Sequence, residues 1–208
     1  MNDPYRRIAK FYDTLVDPPN VVVRKIGLDM YPPREGMKVL DVGCGTGTSL
    51  GLYHNAGCEV SGIDLSPAML DQARQKLGDR ADLRQADATH IPFTDNSFDL
   101  VTTFLTLHEM PPATRTAAMA EMTRVVNPHG RLLLIDFRSG PIRFPKGWLY
   151  KTLIVSMELA AGREHFNHYR EFFSHNGLPG LISAQGLTIA TEKILSAGNL
   201  HAYLAHKP

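Results

Sequence analysis

The feature that most constrains this chain is the segment at residues 39–47, which reads Val-Leu-Asp-Val-Gly-Cys-Gly-Thr-Gly. Its first half is apolar apart from Asp41, which predicts a buried β-strand. Three glycines follow at alternate positions, and glycine permits both a sharp turn and close approach of a ligand to the backbone. Residues 48–55 can continue as a helix whose N-terminal N–H groups face that ligand. The segment therefore predicts a strand, a glycine-rich binding loop and a helix.

The spacing of the glycines separates the classes of nucleotide-binding loop. A dinucleotide-binding loop has the pattern Gly-x-Gly-x-x-Gly. Here Gly43, Gly45 and Gly47 are spaced Gly-x-Gly-x-Gly, with Asp41 two residues before the first of them. This disfavours a nicotinamide enzyme. The pattern resembles motif I of the class I S-adenosylmethionine-dependent methyltransferases, in which such an acid meets the ammonium group of the cofactor's amino-acid tail, usually through water.

Four further segments follow in the order and at the intervals typical of the same family. The first is an apolar run that ends at Asp64, and an acid ending the second strand of a Rossmann-like unit accepts hydrogen bonds from ribose hydroxyls. Segments 82–88, 91–104 and 126–136 resemble the family's third, fourth and fifth strands with their turns. The resemblance covers residues 37–137, about half of the chain.

The resemblance also implies a cofactor and the residues that bind it. The cofactor would be S-adenosylmethionine, with S-adenosylhomocysteine as the product. An apolar side chain in the helix after the second strand would lie against the adenine, and an acid after the third strand would accept a hydrogen bond from the adenine amino group. The residues implied to bind the cofactor are Asp41, Gly43, Cys44, Gly45, Gly47, Asp64, Leu65, Met69, Asp87, Ala88 and Phe104.

The expected fold is an α/β domain. Apolar strands alternate with helical segments, which predicts a parallel sheet with helices on both faces. The resemblance implies a Rossmann-like, doubly wound sheet of seven strands in the order 3-2-1-4-5-7-6, with strand 7 antiparallel. We expect one domain, with N-terminal lid helices at 1–36, a cofactor-binding core at 37–137, a helical substrate cap inserted after strand 5 at 138–186, and closing strands at 187–208.

Local patterns predict finer boundaries. Two short helices within residues 4–30 are separated by Asp17-Pro18-Pro19. Ser66 and Pro67 are typical of a helix start, as N-cap and first helical residue. The other predicted helices are 113–125, 147–162, 169–173 and 178–184, and the closing strands are 187–194 and 199–205.

Composition indicates which classes of partner and which cellular compartment to expect. The net charge is +1 and no basic block stands out, so nothing indicates nucleic-acid binding through phosphates. The chain shows no secretory signal and no apolar run long enough to span a membrane. Its two cysteines suit a reducing compartment, so we expect a cytoplasmic protein. Peripheral membrane contact stays open, as does the choice between monomer and homodimer.

Two residues are candidates for catalysis. Methyl transfer releases a neutral sulfide, so positioning matters more than an acid, and a base is needed only for a protonated nucleophile. His108 follows the fourth strand, and a neutral imidazole would accept a proton near pH 7; ordering of the backbone or contact with the cofactor tail is the alternative. Tyr12 belongs to a segment that resembles the N-terminal lid of ubiquinone-type and phospholipid-type methyltransferases, where its ring would stabilise the sulfonium; packing of the lid helix is the alternative.

The apolar helix at 147–162 indicates the class of acceptor. Its position and side chains favour an apolar or amphipathic molecule such as a quinone, a lipid head group or a small aromatic compound, although core packing or a dimer contact is the alternative. Trp148, His165 and Tyr169 are the candidate substrate residues. His165 and His168 lie three apart, but no carboxylate or cysteine completes a ligand set, so we expect no metal.

The sequence thus favours an S-adenosylmethionine-dependent methyltransferase that acts on a small or amphipathic acceptor. Two alternatives remain at this point. One is a phospholipid-amine N-methyltransferase at a membrane surface, and the other is a regulator that binds S-adenosylmethionine without turnover, since a fold by itself does not define a function.

Overall fold

One mixed sheet organises the fold. The computed structural model describes Asp3 and residues 5–15, 17–18 and 20–208. Within these residues the sheet has seven strands, in the spatial order β3-β2-β1-β4-β5-β7-β6. The strands are β1 (Lys38–Val42), β2 (Glu59–Asp64), β3 (Ala81–Gln85), β4 (Phe98–Phe104), β5 (Val126–Phe137), β6 (Thr188–Leu195) and β7 (Leu200–His206).

Helices connect and cover these strands. They are α1 (Ala9–Leu15), α2 (Asn20–Met30), α3 (Thr48–Asn55), α4 (Pro67–Leu77), α5 (Pro112–Val125), α6 (Lys146–Ala161), α7 (Arg163–Ser174) and α8 (Gly177–Ala184). Single 3₁₀ turns lie at 78–80, 107–109 and 196–198. Among the described residues, every helix is too short or too polar to cross a bilayer.

The strand order reverses beside β1, which pairs in parallel with both β2 and β4. β7 runs antiparallel to its neighbours β5 and β6. The predicted order and the reversed strand 7 are therefore confirmed. In open α/β sheets the crevice at such a reversal, outside the carboxyl ends of the strands, is where ligands bind.

Alternating side chains of the strands build a core on each face of the sheet. Leu40 and Val42 pack on one face with Met119 and Met122 of α5. Val39 lies on the opposite face, which is covered by α2, α3 and α4. The central strands are thus buried on both sides, as expected for parallel strands.

Local boundaries follow the sequence pattern with one clear difference. The Ser66 hydroxyl caps α4 by accepting the Met69 N–H at 3.1 Å, with Pro67 as the first helical residue, as predicted. The helix predicted at 169–173 instead begins six residues earlier, at Arg163. The helix begins directly after Gly162, which ends α6, and it packs on α6 and on the 107–109 turn. Pro19, the last residue of the predicted break, lies outside the described residues.

Gly62 on β2 tests how tightly the core is packed. A Cβ at this position would lie 2.7 Å from Leu50 Cδ1 and 2.8 Å from Cys44 Sγ. We expect Gly62→Ala to lower the free energy of unfolding in urea by roughly 1–3 kcal/mol, since overpacking forces neighbours out of place. Gly51→Ala in α3 is the matched control, because its Cβ would meet Leu77 at an ordinary 3.7 Å. That change should be neutral or stabilising by about 0.5–1 kcal/mol, and equal effects of the two changes would contradict this account.

Candidate functional site

A cavity of about 580 Å³ lies at the carboxyl ends of β1, β2 and β4. It brings together residues that are far apart in the sequence, because parallel strands end at one edge of the sheet. Tyr12 also lines it, whereas Gly47, His108, Trp148, His165 and Tyr169 do not. The expected cofactor residues that line the cavity are Asp41, Gly43, Cys44, Gly45, Asp64, Leu65, Met69, Asp87, Ala88 and Phe104.

The glycine loop forms the floor of the cavity. Gly43 has φ +74°, and a Cβ there would lie 2.4 Å from Thr106 Cγ2, so both backbone conformation and space require glycine. The N–H groups of Gly43 and Cys44 both donate to the Ile63 carbonyl, at 2.9 and 3.0 Å, which ties the loop to β2. Gly47 is the N-cap of α3 and packs against α4 instead of the cavity.

Asp41 is buried at the end of β1, with 2% of its surface exposed. Its Oδ1 accepts the Thr102 hydroxyl proton at 2.7 Å. Burial raises the pKa of Asp41 to about 6, in spite of this hydrogen bond and the positive charge of Arg24. A cationic group of a ligand beside Asp41 would favour the ionised form and lower this desolvation cost.

Asp64 is the last residue of β2, and its carboxylate binds the backbone of both the glycine loop and the turn before α4. The Gly45 N–H donates to Oδ2 and the Ser66 N–H donates to Oδ1, each at 2.8 Å. Burial raises the pKa of Asp64, and these backbone hydrogen bonds oppose the rise. Each carboxylate oxygen has a second lone pair, so Asp64 can still accept hydrogen bonds from hydroxyl groups in the cavity.

The N-terminal segment closes one side of the cavity. The Asp3 carboxylate accepts hydrogen bonds from the Ser66 hydroxyl at 2.9 Å and the Ala68 N–H at 3.1 Å. The Tyr5 hydroxyl donates to Glu109 at 2.7 Å. Tyr12 also faces the cavity, and burial raises its pKa to about 12, so its hydroxyl stays protonated at neutral pH.

The turn after β4 forms the opposite wall. Leu105 has φ +52°, a strained conformation for a residue with a side chain, and its N–H donates to the Ile135 carbonyl at 2.9 Å. Leu105, Thr106 and Glu109 line the cavity. Burial raises the pKa of Glu109, while the charges of His108 and His165 oppose the rise.

His108 points away from the cavity. It is 2% exposed, and its Nδ1 lies 2.7 Å from Asp136 Oδ1. Burial lowers the pKa of His108, but the carboxylates of Asp136, Glu158 and Glu109 together outweigh burial and raise it to about 10. The imidazole is therefore protonated at neutral pH, whereas the proton-accepting role needs it neutral. That role stays a prediction, and Glu109 is the neighbour that reaches the cavity.

The three predicted substrate residues also lie outside the cavity, around the insert after β5. Trp148 on α6 is 58% exposed. Tyr169 on α7 is buried, and its hydroxyl accepts from Lys151 Nζ at 2.6 Å. His165 Nε2 lies 2.9 Å from Glu158 Oε2, next to His108. A substrate role for these residues stays a prediction.

Some residues of the site were not identified from the sequence. Glu109 is the sequence neighbour of His108, and Glu158 is the single carboxylate of α6, which are the signals that could have identified these two residues. Asp3 gives no local signal, because its partners Ser66 and Ala68 are more than 60 positions away in the chain.

Comparison with known proteins identifies the family. Residues 40–134 match the family model described as methyltransferase domain. The demethylmenaquinone methyltransferase of Paenarthrobacter aurescens is 31% identical over 194 residues, which cover 89% of this chain and 76% of that protein. The ubiquinone/menaquinone biosynthesis C-methyltransferase of Idiomarina loihiensis is 33% identical over 147 residues, which cover 65% and 58%.

The chain belongs to the class I S-adenosylmethionine-dependent methyltransferases. The solved structure of an S-adenosylmethionine-dependent methyltransferase from Aquifex aeolicus shares the fold, with a TM-score of 0.65 and 21% identity over 99% of this chain and 98% of that one. The cofactor of this methyltransferase is S-adenosylmethionine. The cavity fits it, since buried carboxylates with free acceptor capacity face a glycine loop that leaves room for a ligand.

The raised pKa of Asp41 predicts that the ligand-free methyltransferase loses stability as pH rises. The unfolded chain releases this proton near the usual pKa of 3.8 and the folded protein only near 6. Stability therefore falls between about pH 4 and pH 6, and the deficit above pH 6 is roughly 2–3 kcal/mol. Asp41→Asn should remove the deficit and raise the free energy of unfolding at pH 8 by about 1–3 kcal/mol.

Urea unfolding of both proteins at pH 4.5 and pH 8 measures this effect. The gain should be larger at pH 8. Asp71→Asn on α4 is the control, because its side chain is 65% exposed. If Asp41→Asn raised the free energy of unfolding equally at both pH values, the raised pKa of Asp41 would not be its cause.

Proposed function

We propose that this methyltransferase transfers the methyl group of S-adenosylmethionine to a ring carbon of a small quinol-type acceptor. The observation that carries the proposal is that aromatic and apolar side chains and the carboxylate of Glu109 line the cavity in addition to the acids assigned to the cofactor. The two relatives, named for methylation in menaquinone and ubiquinone synthesis, support the same acceptor class.

We assign three acids of the cavity to three different groups of the cofactor. We assign Asp41 to the ammonium group, because its buried carboxylate gains most from a nearby cation. Asp64 is assigned to the ribose hydroxyls through its remaining lone pairs. Asp87 and Ala88, which follow β3 and line the cavity, are assigned to the adenine edge, with Met69 against the ring.

We assign to the acceptor end of the cavity five of its lining residues, Tyr5, Tyr12, Glu109, Met110 and Pro111. Aromatic and apolar side chains suit a flat ring, and a few placed polar groups then determine its orientation. Glu109 is held by the Tyr5 hydroxyl and is the carboxylate at this end. We assign it to accept a hydrogen bond from a hydroxyl of the acceptor.

Methyl transfer then needs alignment more than acid–base chemistry. The bound cofactor supplies an electrophilic methyl group on sulfur. Transfer of this methyl group to a ring carbon would leave the electron pair of the broken bond on a neutral sulfide, and the ring carbon would lose one proton to water. Holding the ring in line can lower the barrier by about 7–11 kcal/mol.

Tyr12 and His108 take different parts in this proposal. The Tyr12 ring lines the cavity beside Tyr5 and is assigned to the positive sulfonium, which an aromatic face stabilises. His108 lies behind Glu109 with its ring bound to Asp136, so we assign it to the wall and not to contact with the acceptor.

Transfer of radiolabelled methyl groups to a panel of acceptors tests the function. The panel contains a reduced demethylmenaquinone analogue, a simple phenol, and vesicles with phosphatidylethanolamine. We expect label in the quinol. Label in the lipid amine alone would instead support a phospholipid-amine N-methyltransferase. Binding of S-adenosylmethionine without any transfer would support a regulator without turnover.

Asp64→Asn should weaken binding of S-adenosylmethionine by roughly 10–100-fold in calorimetry. The reason is that ribose hydroxyls would lose a charged acceptor worth about 1.5–3 kcal/mol. Asp71→Asn in α4 is the control, because the Asp71 side chain is exposed and the change should leave the Kd of S-adenosylmethionine unchanged. An unchanged Kd for Asp64→Asn would place the ribose elsewhere.

Glu109→Gln should lower kcat/KM for the quinol by roughly 10–100-fold, because the acceptor hydroxyl would lose a hydrogen bond to a charged group. The Kd of S-adenosylmethionine should change less than about threefold, since that bond is assigned to the acceptor. Glu164→Gln, an exposed change near the start of α7, is the control. If Glu109→Gln weakened the cofactor instead, Glu109 would belong to the cofactor end.

A further inference from the structure

Behind the wall that carries Glu109, three side chains from separate elements converge. They are His108 of the 3₁₀ turn, Glu158 of α6 and His165 of α7, and one nitrogen or oxygen from each lies within 4.8 Å of the other two. In the sequence, His165 and His168 are the candidate metal ligands, and no carboxylate completes that set. The fold instead pairs His165 with Glu158 and adds a second imidazole.

The distances suit a shared ion. His165 Nε2 lies 2.9 Å from Glu158 Oε2, and His108 Nε2 lies 3.6 Å from Glu158 Oε1. Tetrahedral ligands about 2.0–2.1 Å from Zn²⁺ are roughly 3.3 Å apart. The first separation is shorter and the second longer than that value, so binding of an ion would require His165 to move away from Glu158 and His108 to move toward it.

His108 is oriented for ligation. Its Nδ1 is bound to Asp136 Oδ1 at 2.7 Å, which directs Nε2 toward Glu158. A bound ion would replace the Nε2 proton that His108 keeps at neutral pH in the metal-free protein. Asp136 is fully buried and accepts the backbone N–H groups of His108 and Phe137, at 3.1 and 2.7 Å. A carboxylate behind the far nitrogen of a histidine is the usual support of a metal ligand.

Glu158 supplies an independent observation. Its side chain is 9% exposed, and its buried Oε2 lies 2.9 Å from His165 Nε2 in an ion-pair contact that does not meet hydrogen-bond geometry. Burial raises the pKa of Glu158, but the charges of His108 and His165 outweigh burial and lower it, so the carboxylate is ionised. An ion between the two imidazoles would give Oε2 a direct ligand contact.

We propose that His108, Glu158 and His165 bind a divalent transition-metal ion. Two imidazoles and one carboxylate are a ligand set typical of Zn²⁺ sites that keep a fourth position open. Glu109 Oε1 lies 4.0 Å from His108 Nε2, so the ion would lie beside the carboxylate that lines the cavity. The proposal does not rest on the proposed acceptor, because metal binding is measured without turnover.

The test is titration of the chelator-treated full chain with ZnCl₂ by calorimetry, and with CoCl₂ by visible absorption. We expect one ion per chain and the intense bands of tetrahedral Co²⁺. Glu158→Gln and His165→Ala should each weaken binding at least 100-fold and abolish these bands. Asp136→Asn should weaken binding by about 10–100-fold, as expected for a group that supports a ligand.

His201→Ala is the matched control, because His201 also faces a carboxylate, Glu192 at 3.3 Å, outside this cluster. It should bind the ion as the unaltered chain does. The His165 side chain is 21% exposed, so His165→Ala is the variant least disturbing to the fold, and retained S-adenosylmethionine binding checks this. Absence of binding to the unaltered chain, or binding that survives Glu158→Gln and His165→Ala, would overturn the proposal in favour of a proton-bridged ion pair.

Discussion

The parallel pairing of β1 with β2 and β4 is the constraint on which the site depends. Asp41 lies opposite Gly62 on one side and Thr102 on the other. The missing side chain at Gly62 lets Cys44 and Leu50 pack onto β2, and Asp64, two residues further on, binds the Gly45 N–H. Because side chains alternate along a strand, a one-residue slip in register would separate these contacts. Strand pairing therefore positions the carboxylates and the glycine loop together.

The N-terminal segment is attached to this frame by polar contacts. Asp3 accepts N–H and hydroxyl donors at the start of α4, where the helix dipole favours an anion. Asp13 on α1 pairs with Lys76 of α4 at 2.6 Å, and both side chains are partly exposed. Exposed ion pairs contribute only about 0–1 kcal/mol each. The segment that contributes Tyr5 and Tyr12 to the cavity is thus held less tightly than the helices of the core.

How far the sequence predicts the site depends on the sequence distance between partners. Asp41, Gly43 and Gly45 lie close together at the end of β1 and in the loop after it, and the strand pattern extends the argument to Asp64. The presence of these residues in one cavity lining could therefore be predicted. The strand order came with the family resemblance. Glu158 and His165 meet His108 only through packing of α6 and α7, which periodicity does not specify. The start of α7 at Arg163 was missed for the same reason, because residues 163–168 follow α6 directly and α7 packs on α6.

The turn at 105–109 separates two chemically different environments. Thr106 packs against Gly43 and Glu109 faces the cavity, whereas His108 between them faces Asp136 and Glu158. Both the left-handed Leu105 and the buried charges behind the turn cost stability, since apolar residues of similar volume would serve a core at least as well. Such costs concentrate where chemistry rather than folding determines the residues. The turn therefore places Glu109, which lines the cavity, directly beside His108 of the histidine cluster.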